Sequence, residues 1–261
     1  MKDPARYAAN LKWLFTELPF PERFAAAAAE GFTAVEIPDP YSLPAAQLRR
    51  LADDAGVRTI LVNTPPGPAG SRSAGGAAGV PGSKAEFRAG LERAAEYAST
   101  LGATLVHVVA GRRPDGVSRD RAFASYVDNI SWAAAQLKDS GLQIVLEMQN
   151  QRNAPRFVLE SQAMAAAVVE AVGEPVGLLL DLFHLQVQDG DLLTNLSTYL
   201  PLTRHIQIGD APGRTEPGTG ELAWHRISSA IDASGYNGWF GCEFQPQGGS
   251  AGVLARLLEA R

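Results

Sequence analysis

Short runs of β-branched and aliphatic residues alternate with longer Ala-, Leu-, Glu- and Arg-rich stretches of helical period, and along this chain the alternation hardly breaks. Strands are expected at 8–14, 33–37, 57–63, 104–109, 142–147, 176–181, 204–208 and 238–243. Helices are expected at 20–30, 44–55, 84–101, 118–139, 158–172, 190–199, 222–234 and 250–260. Helix punctuation agrees: Ser118 and Ser161 stand at helix openings, and Gly31, Gly56, Gly102, Gly141 and Gly235 each follow a helical stretch. Eight strand–helix pairs in 261 residues match the size and order of an α/β fold of the (β/α)8 TIM-barrel type, one domain over 1–261. A doubly wound open sheet is the rival, but no G-x-G-x-x-G follows the first strand.

The Gly/Ala/Ser-rich stretch 65–82 has the composition of a linker. Because the alternation resumes after it, it reads better as a long βα loop, a type of segment that often serves as a lid or binding element.

Composition narrows the function classes. With 46% hydrophobic and 20% charged residues the chain can bury a full core. Its net charge of −5, without a dense Lys/Arg run, argues against a general affinity for nucleic acid or for an anionic membrane. The single cysteine, Cys242, excludes an internal disulfide framework and a multi-cysteine metal site, and fits a reducing compartment, the cytoplasm by default. Charges and prolines interrupt the first twenty residues where a signal peptide needs an apolar run, and no segment reaches the roughly 18 apolar residues of a membrane span. The expectation is a soluble, unexported protein.

In a barrel, side chains from the C-terminal strand ends converge on one mouth. The fifth run, LQIVLEMQN, finishes at Glu147, the sixth at Asp181 with His184 three residues on, the seventh at Gln207 and Asp210, and the eighth at Glu243. Any one of these acids could cap a helix or pair with an arginine. Three carboxylates at one mouth, however, would raise one another's pKa unless a cation neutralised them. Carboxylate and amide oxygens suit a divalent ion, with Mg2+ or Mn2+ favoured and Zn2+ or Co2+ admitted. The expected metal site is therefore Glu147, Asp181, Gln207 and Glu243. Strand alternation puts His205 on the face of Gln207 and one layer deeper, where it would orient Gln207 or touch substrate, unless it is simply a satisfied core histidine. His107 reads as structural, and His225 is given no role.

These stretches resemble the hydroxypyruvate isomerase family, a branch of the xylose isomerase-like barrels that also holds 2-oxo-tetronate isomerases and ketose epimerases. The resemblance rests on ANLKWLF, the G-F-x-x-V-E of GFTAVEIPDPY, PGSKAEFR, the D-x-x-H of DLFHLQ, HIQIGDAPGRTEPGTGE and YNGWFGCEFQP. It implies the same four metal ligands. It further implies that Glu147 and Glu243 form the acid/base pair and that His184 and Arg214 contact substrate oxygens. Glu216 and its PGTGE turn would shape a lid, and Glu36 would join the wall or pair with a loop. Moving a carbonyl to the adjacent carbon requires removal of a proton from the carbon next to it, which one carboxylate takes and the other returns. Arg214 suits a substrate carboxylate, since guanidinium can bind it with two parallel hydrogen bonds.

The chain also departs from the family. Gln149 stands in Glu147-Met148-Gln149-Asn150 where relatives commonly read E-P-I-N, Asn153 stands where they often have an acid, and Gln245 where they often have a lysine. The reading is thus a metal-dependent aldose–ketose isomerase of a small sugar acid, hydroxypyruvate to tartronate semialdehyde, with shifted specificity admitted. The alternatives are a 2-oxo-tetronate isomerase, a ketose 3-epimerase, and a silent barrel that only binds a sugar acid. An endonuclease on this barrel would need several metal-binding histidines and a basic face, against four histidines and an acidic total here. Among partners, nucleic acid and membrane are not expected, and the resemblance alone admits a homo-oligomer.

Overall fold

Runs buried on both faces can only be interior strands, and those of this chain assemble as such in a computed structural model that describes residues 6–260. The strands are β1 Tyr7–Asn10, β2 Ala34–Ile37, β3 Arg58–Asn63, β4 Leu105–His107, β5 Gln143–Glu147, β6 Val176–Asp181, β7 Thr203–Ile208 and β8 Phe240–Cys242. Each pairs in parallel with the next and β8 closes on β1, so the sheet is a closed eight-stranded barrel. The helices are α1 Arg23–Ala29, α2 Ala45–Ala55, α3 Lys84–Leu101, α4 Arg119–Leu137, α5 Gln162–Val172, α6 Leu182–Gln188, α7 Leu192–Tyr199, α8 Trp224–Ala233 and α9 Val253–Glu259. The molecule is a single-domain (β/α)8 barrel.

Local chemistry sets the helix ends. Ser118 and Ser161 cap α4 and α5 by accepting from the N–H of Arg121 and Met164. Gly56 and Gly102, at φ 72° and 73°, close α2 and α3 in the left-handed conformation that a side chain would resist. Two differences from the sequence expectation matter. The first strand ends at Asn10, because Trp13 and Leu14 fold back onto the Asn10 carbonyl in a turn. An additional helix, α6, follows β6 directly, because the Asp181 side chain accepts from the His184 N–H at 3.0 Å and caps it.

The large core lies between barrel and helices, and a small one inside the barrel is made of Ala8, Ala34, Ile60, Leu61, Leu105, Val145 and Leu179. Two residues further along the strands stand Asn10, Glu36, His107, Glu147 and Asp181, all buried. The period of two therefore turns an apolar layer into a polar one at the mouth. In the 65–82 segment the second half packs down: Ala77, Ala78 and Val80 are buried, the Gly79 N–H donates to the Ala110 carbonyl at 2.7 Å, and Asn129 donates to the Ala78 carbonyl. Among the described residues no helix is long and apolar enough to cross a membrane.

Candidate active site

Strand ends β5 to β8 deliver Glu147, Asp181, Gln207 and Glu243 to the mouth. Arg214, in the loop after β7 with φ 54°, reaches back among them. Its Nη2 donates to Glu243 Oε1 at 2.6 Å and also to Asp181 Oδ2, its Nε donates to the Glu243 carbonyl at 2.9 Å, and its guanidinium lies 5.0 Å and 5.1 Å from the ring centres of Trp13 and Phe183. Glu147 accepts from Gln149 Nε2 at 2.7 Å, with His107 Nε2 at 3.6 Å and His184 Nε2 at 3.8 Å. Of the three mouth carboxylates, the Glu243 side chain is the most open, at 18% exposure against 3% for Glu147 and 1% for Asp181.

The electrostatics follow from crowding acids in a dry site. Burial, then the neighbouring Glu243 and Asp181, push Glu147 well above the usual carboxylate range, against the pull of Arg214. Burial also raises Asp181, opposed by Arg214 and by the N–H groups of His184 and Phe183. Glu243 is pushed up to about 7, chiefly by burial, with Arg214 the main opposing influence. Burial works against the charge on Arg214, but Asp181, Glu243, Glu147 and Glu36 together outweigh it and keep it ionised. Burial and the Arg214 charge hold His184 well below the imidazole range, so it is neutral. His107 is likewise held neutral, down to about 3, by burial and then by His205 and His184. One guanidinium thus faces several buried carboxylates, a donor set that fits a divalent cation. Glu147, Asp181 and His184 each place one ligand atom within 4.8 Å of the others, a buried triad that could hold a metal ion.

The other expected residues fall as follows. His205 lies one layer below the mouth, fully buried, with Nε2 on Glu36 Oε1. Gln207 donates from Nε2 to Glu36 Oε2 at 2.9 Å. Glu216 is buried in the loop after β7, and its carboxylate is taken by Arg256 of α9 through bonds of 2.7 Å and 3.0 Å, so it braces that loop. Asp210 accepts from the N–H groups of Gly218, Gly220 and Leu222, folding the same loop. Asn153 donates its N–H to Asn150 Oδ1, while Gln245 donates its N–H to the Arg214 carbonyl. Sequence reasoning gave no role to Asn10, Asn150, Trp13 or Phe183. An asparagine closing a strand is the one signal that could have marked Asn10, whose Nδ2 donates to both Glu36 and Glu243.

A closed parallel barrel whose strand ends gather buried acids around one cation defines the class: an enzyme with its active site in the C-terminal mouth. The model of the xylose isomerase-like TIM barrel family matches residues 24–260. A human protein provisionally named hydroxypyruvate isomerase is 40% identical over 97% of this chain and 94% of its own. The 2-oxo-tetronate isomerase of Cupriavidus necator is 38% identical over 97% of each chain. A crystal structure from Brucella melitensis described as AP endonuclease, family 2, superposes with a TM-score of 0.92 at 35% identity, over 98% of this chain and 99% of that one. A D-psicose 3-epimerase structure from Clostridium cellulolyticum H10, at 18% identity and a TM-score of 0.78 over 98% of this chain and 96% of that one, shares the fold. The chain belongs to the xylose isomerase-like TIM barrel family and, within it, to the isomerases of the hydroxypyruvate isomerase and 2-oxo-tetronate isomerase family.

Proposed function

We propose that this protein interconverts hydroxypyruvate and tartronate semialdehyde at a divalent metal held by Glu147, Asp181, Gln207 and Glu243. The observation that carries the reading is the gathering of Glu147 and Asp181, both buried, with the part-buried Glu243 beside His184 and Arg214. The Asn150 N–H donates to His184 Nδ1 at 3.1 Å and holds the ring in place. Gln207 and Glu243 complete the proposed set around Glu147 and Asp181, and His184 lies close enough to both acids to join it. Arg214 Nη1, which can only donate, lies 2.7 Å from His184 Nε2, so the two side chains stand together at the mouth.

A divalent ion bound there would supply the positive charge that makes the C–H beside the substrate carbonyl acidic and keeps the carboxylates ionised. Glu147 and Glu243 are the acid/base pair: one accepts a proton from C3 of hydroxypyruvate to give the enediolate and the other delivers a proton to C2, while the O3 hydroxyl proton passes to O2, so that C3 becomes the aldehyde and C2 the carbinol. Arg214 pairs with the substrate carboxylate, while His184 contacts one of the two oxygens that exchange carbonyl and hydroxyl roles. Trp13 and Phe183 keep water from the guanidinium and strengthen its pairing.

A second reading, isomerisation of a 2-oxo-tetronate, uses the same groups and is favoured by the resemblance to the Cupriavidus enzyme. Proton NMR in D2O tests both. Exchange at C3 of hydroxypyruvate, lost in Glu147→Gln and Glu243→Gln, supports the first; inertness toward it with exchange in 2-oxo-tetronate supports the second. No turnover of either acid despite binding would favour a silent barrel. Turnover that persists unchanged in both glutamine variants would overturn the acid/base assignment.

A further inference from the structure

Glu36 lies in the polar layer at the mouth, with no exposed surface. An ionised carboxylate there is costly unless its oxygens are fully used, and they are. Oε1 faces His205 Nε2, while Oε2 accepts from Gln207 Nε2 at 2.9 Å and from Asn10 Nδ2 at 2.8 Å. Asn10 Nδ2 also donates to Glu243 Oε2 at 3.0 Å, and Asn10 Oδ1 is held by the Lys12 N–H at 3.1 Å. Local structure is shaped around this arrangement. Between Val35 and Glu36 the pairing of β2 with β3 slips by one residue, the irregularity that re-aims a side chain. On β8, the other neighbour of β1, a Cβ on Gly241 would stand 1.9 Å from Glu36 Oε1, so only glycine leaves room for this carboxylate.

A side-chain amide binds a metal through its oxygen, and the two ends of an amide differ only in the partners they find. An acceptor on Nε2 therefore decides which way the oxygen of Gln207 points. We infer that Glu36 is the positioning residue of the metal centre: it holds the Gln207 amide with its oxygen free for the ion, and through Asn10 it fixes one oxygen of Glu243. This rests on the reading that Gln207 and Glu243 are ligands. Partners that orient metal ligands from behind typically account for about 10- to 100-fold in metal affinity.

The test is calorimetric titration of the metal-stripped full chain with Mn2+, alongside kcat and KM of the reloaded enzyme. Glu36→Leu, close in size but with no acceptor, is expected to weaken Mn2+ binding at least about tenfold and to lower kcat more than it raises KM. Glu36→Gln can keep an oxygen toward Gln207 and Asn10 and turn its amide nitrogen to His205, so it is expected to restore affinity to within about threefold of wild type. If the leucine variant does not fold, Glu36→Asp replaces it, since it keeps the charge but is too short to reach both Asn10 and Gln207; weakened Mn2+ binding is again expected. Wild-type affinity in whichever of the leucine and aspartate variants is measured overturns the inference while leaving the ligand reading intact. Wild-type protein that takes up no Mn2+, or Gln207→Leu that binds it unchanged, removes the ligand reading and the inference with it.

Discussion

Arg214 Nη2 donates to Glu243 Oε1 at 2.6 Å, so the guanidinium stands against the carboxylates proposed to receive a metal. A unit charge and a divalent ion about 4 Å apart in a partly buried site repel by roughly 8 kcal/mol, twice the figure for two unit charges. Arg214→Met is therefore expected to tighten Mn2+ binding in the absence of substrate by at least about tenfold, a conservative share of that repulsion. The same variant loses the partner of the substrate carboxylate, and its kcat/KM should fall by about 100-fold or more. Titration calorimetry and steady-state kinetics read the two effects separately, and weaker metal binding in the variant would contradict the first.

The metal-free protein should lose stability as the pH rises. Glu243 is pushed up from 4.5 to about 7 in the fold, chiefly by burial, and Glu147 is raised in the same direction. A carboxylate whose folded pKa is raised keeps its proton in the fold after the unfolded chain has released it, so its contribution is complete below 4.5 and is lost through about 7. Because His107 and His184, held neutral in the fold, oppose this trend below their ordinary 6.5, the melting temperature of chelator-treated protein should drop between pH 6.5 and pH 8, and added Mn2+ should restore it most at the higher pH. A melting temperature that climbs over this interval without metal would be the contrary result.

Gly241→Ala drives a methyl group against the Glu36 carboxylate, 1.9 Å from Oε1. Overpacking of a closed interior costs about 1–3 kcal/mol. A lower urea midpoint with an unchanged denaturant slope is expected, together with weaker Mn2+ binding.

The Glu216–Arg256 pair ties the loop that carries Arg214 to α9. Arg256→Met leaves the Glu216 carboxylate buried without its partner. Because the arginine side is 38% exposed and therefore screened, a loss of about 1–2 kcal/mol is expected, less than for a wholly buried pair. Substrate KM should rise with kcat little changed, since the loop that positions Arg214 is loosened while the acid/base pair is untouched.

What could be read from the sequence depended on whether a residue's partners are local. The strands were legible because period and burial act within a few residues, and Glu147, Asp181, Gln207 and Glu243 were visible as polar ends to apolar runs. Helix α6 was hidden because Asp181 serves both as the last residue of β6 and as the cap of the next helix. Beyond Asn10, Leu11, Leu14 and Phe15 continue the apolar run of β1 but are buried from a turn, which hydropathy alone does not distinguish from a strand. Glu36 was least legible: Gln207 lies 171 positions away in the chain, His205 169 and Asn10 26, and nothing in the pattern around Glu36 announces them.

Barrel closure between β1 and β8 carries a consequence for folding. Asn10 stands on one side of that seam and Glu243 just past the other, and Asn10 links Glu243 to Glu36. A half-molecule holding only β5 to β8 would contain every proposed ligand yet lack the groups that aim two of them. Metal uptake would then act as a signal emitted late, when the two ends of the sheet have met, and its time course during refolding would date the joining of the seam.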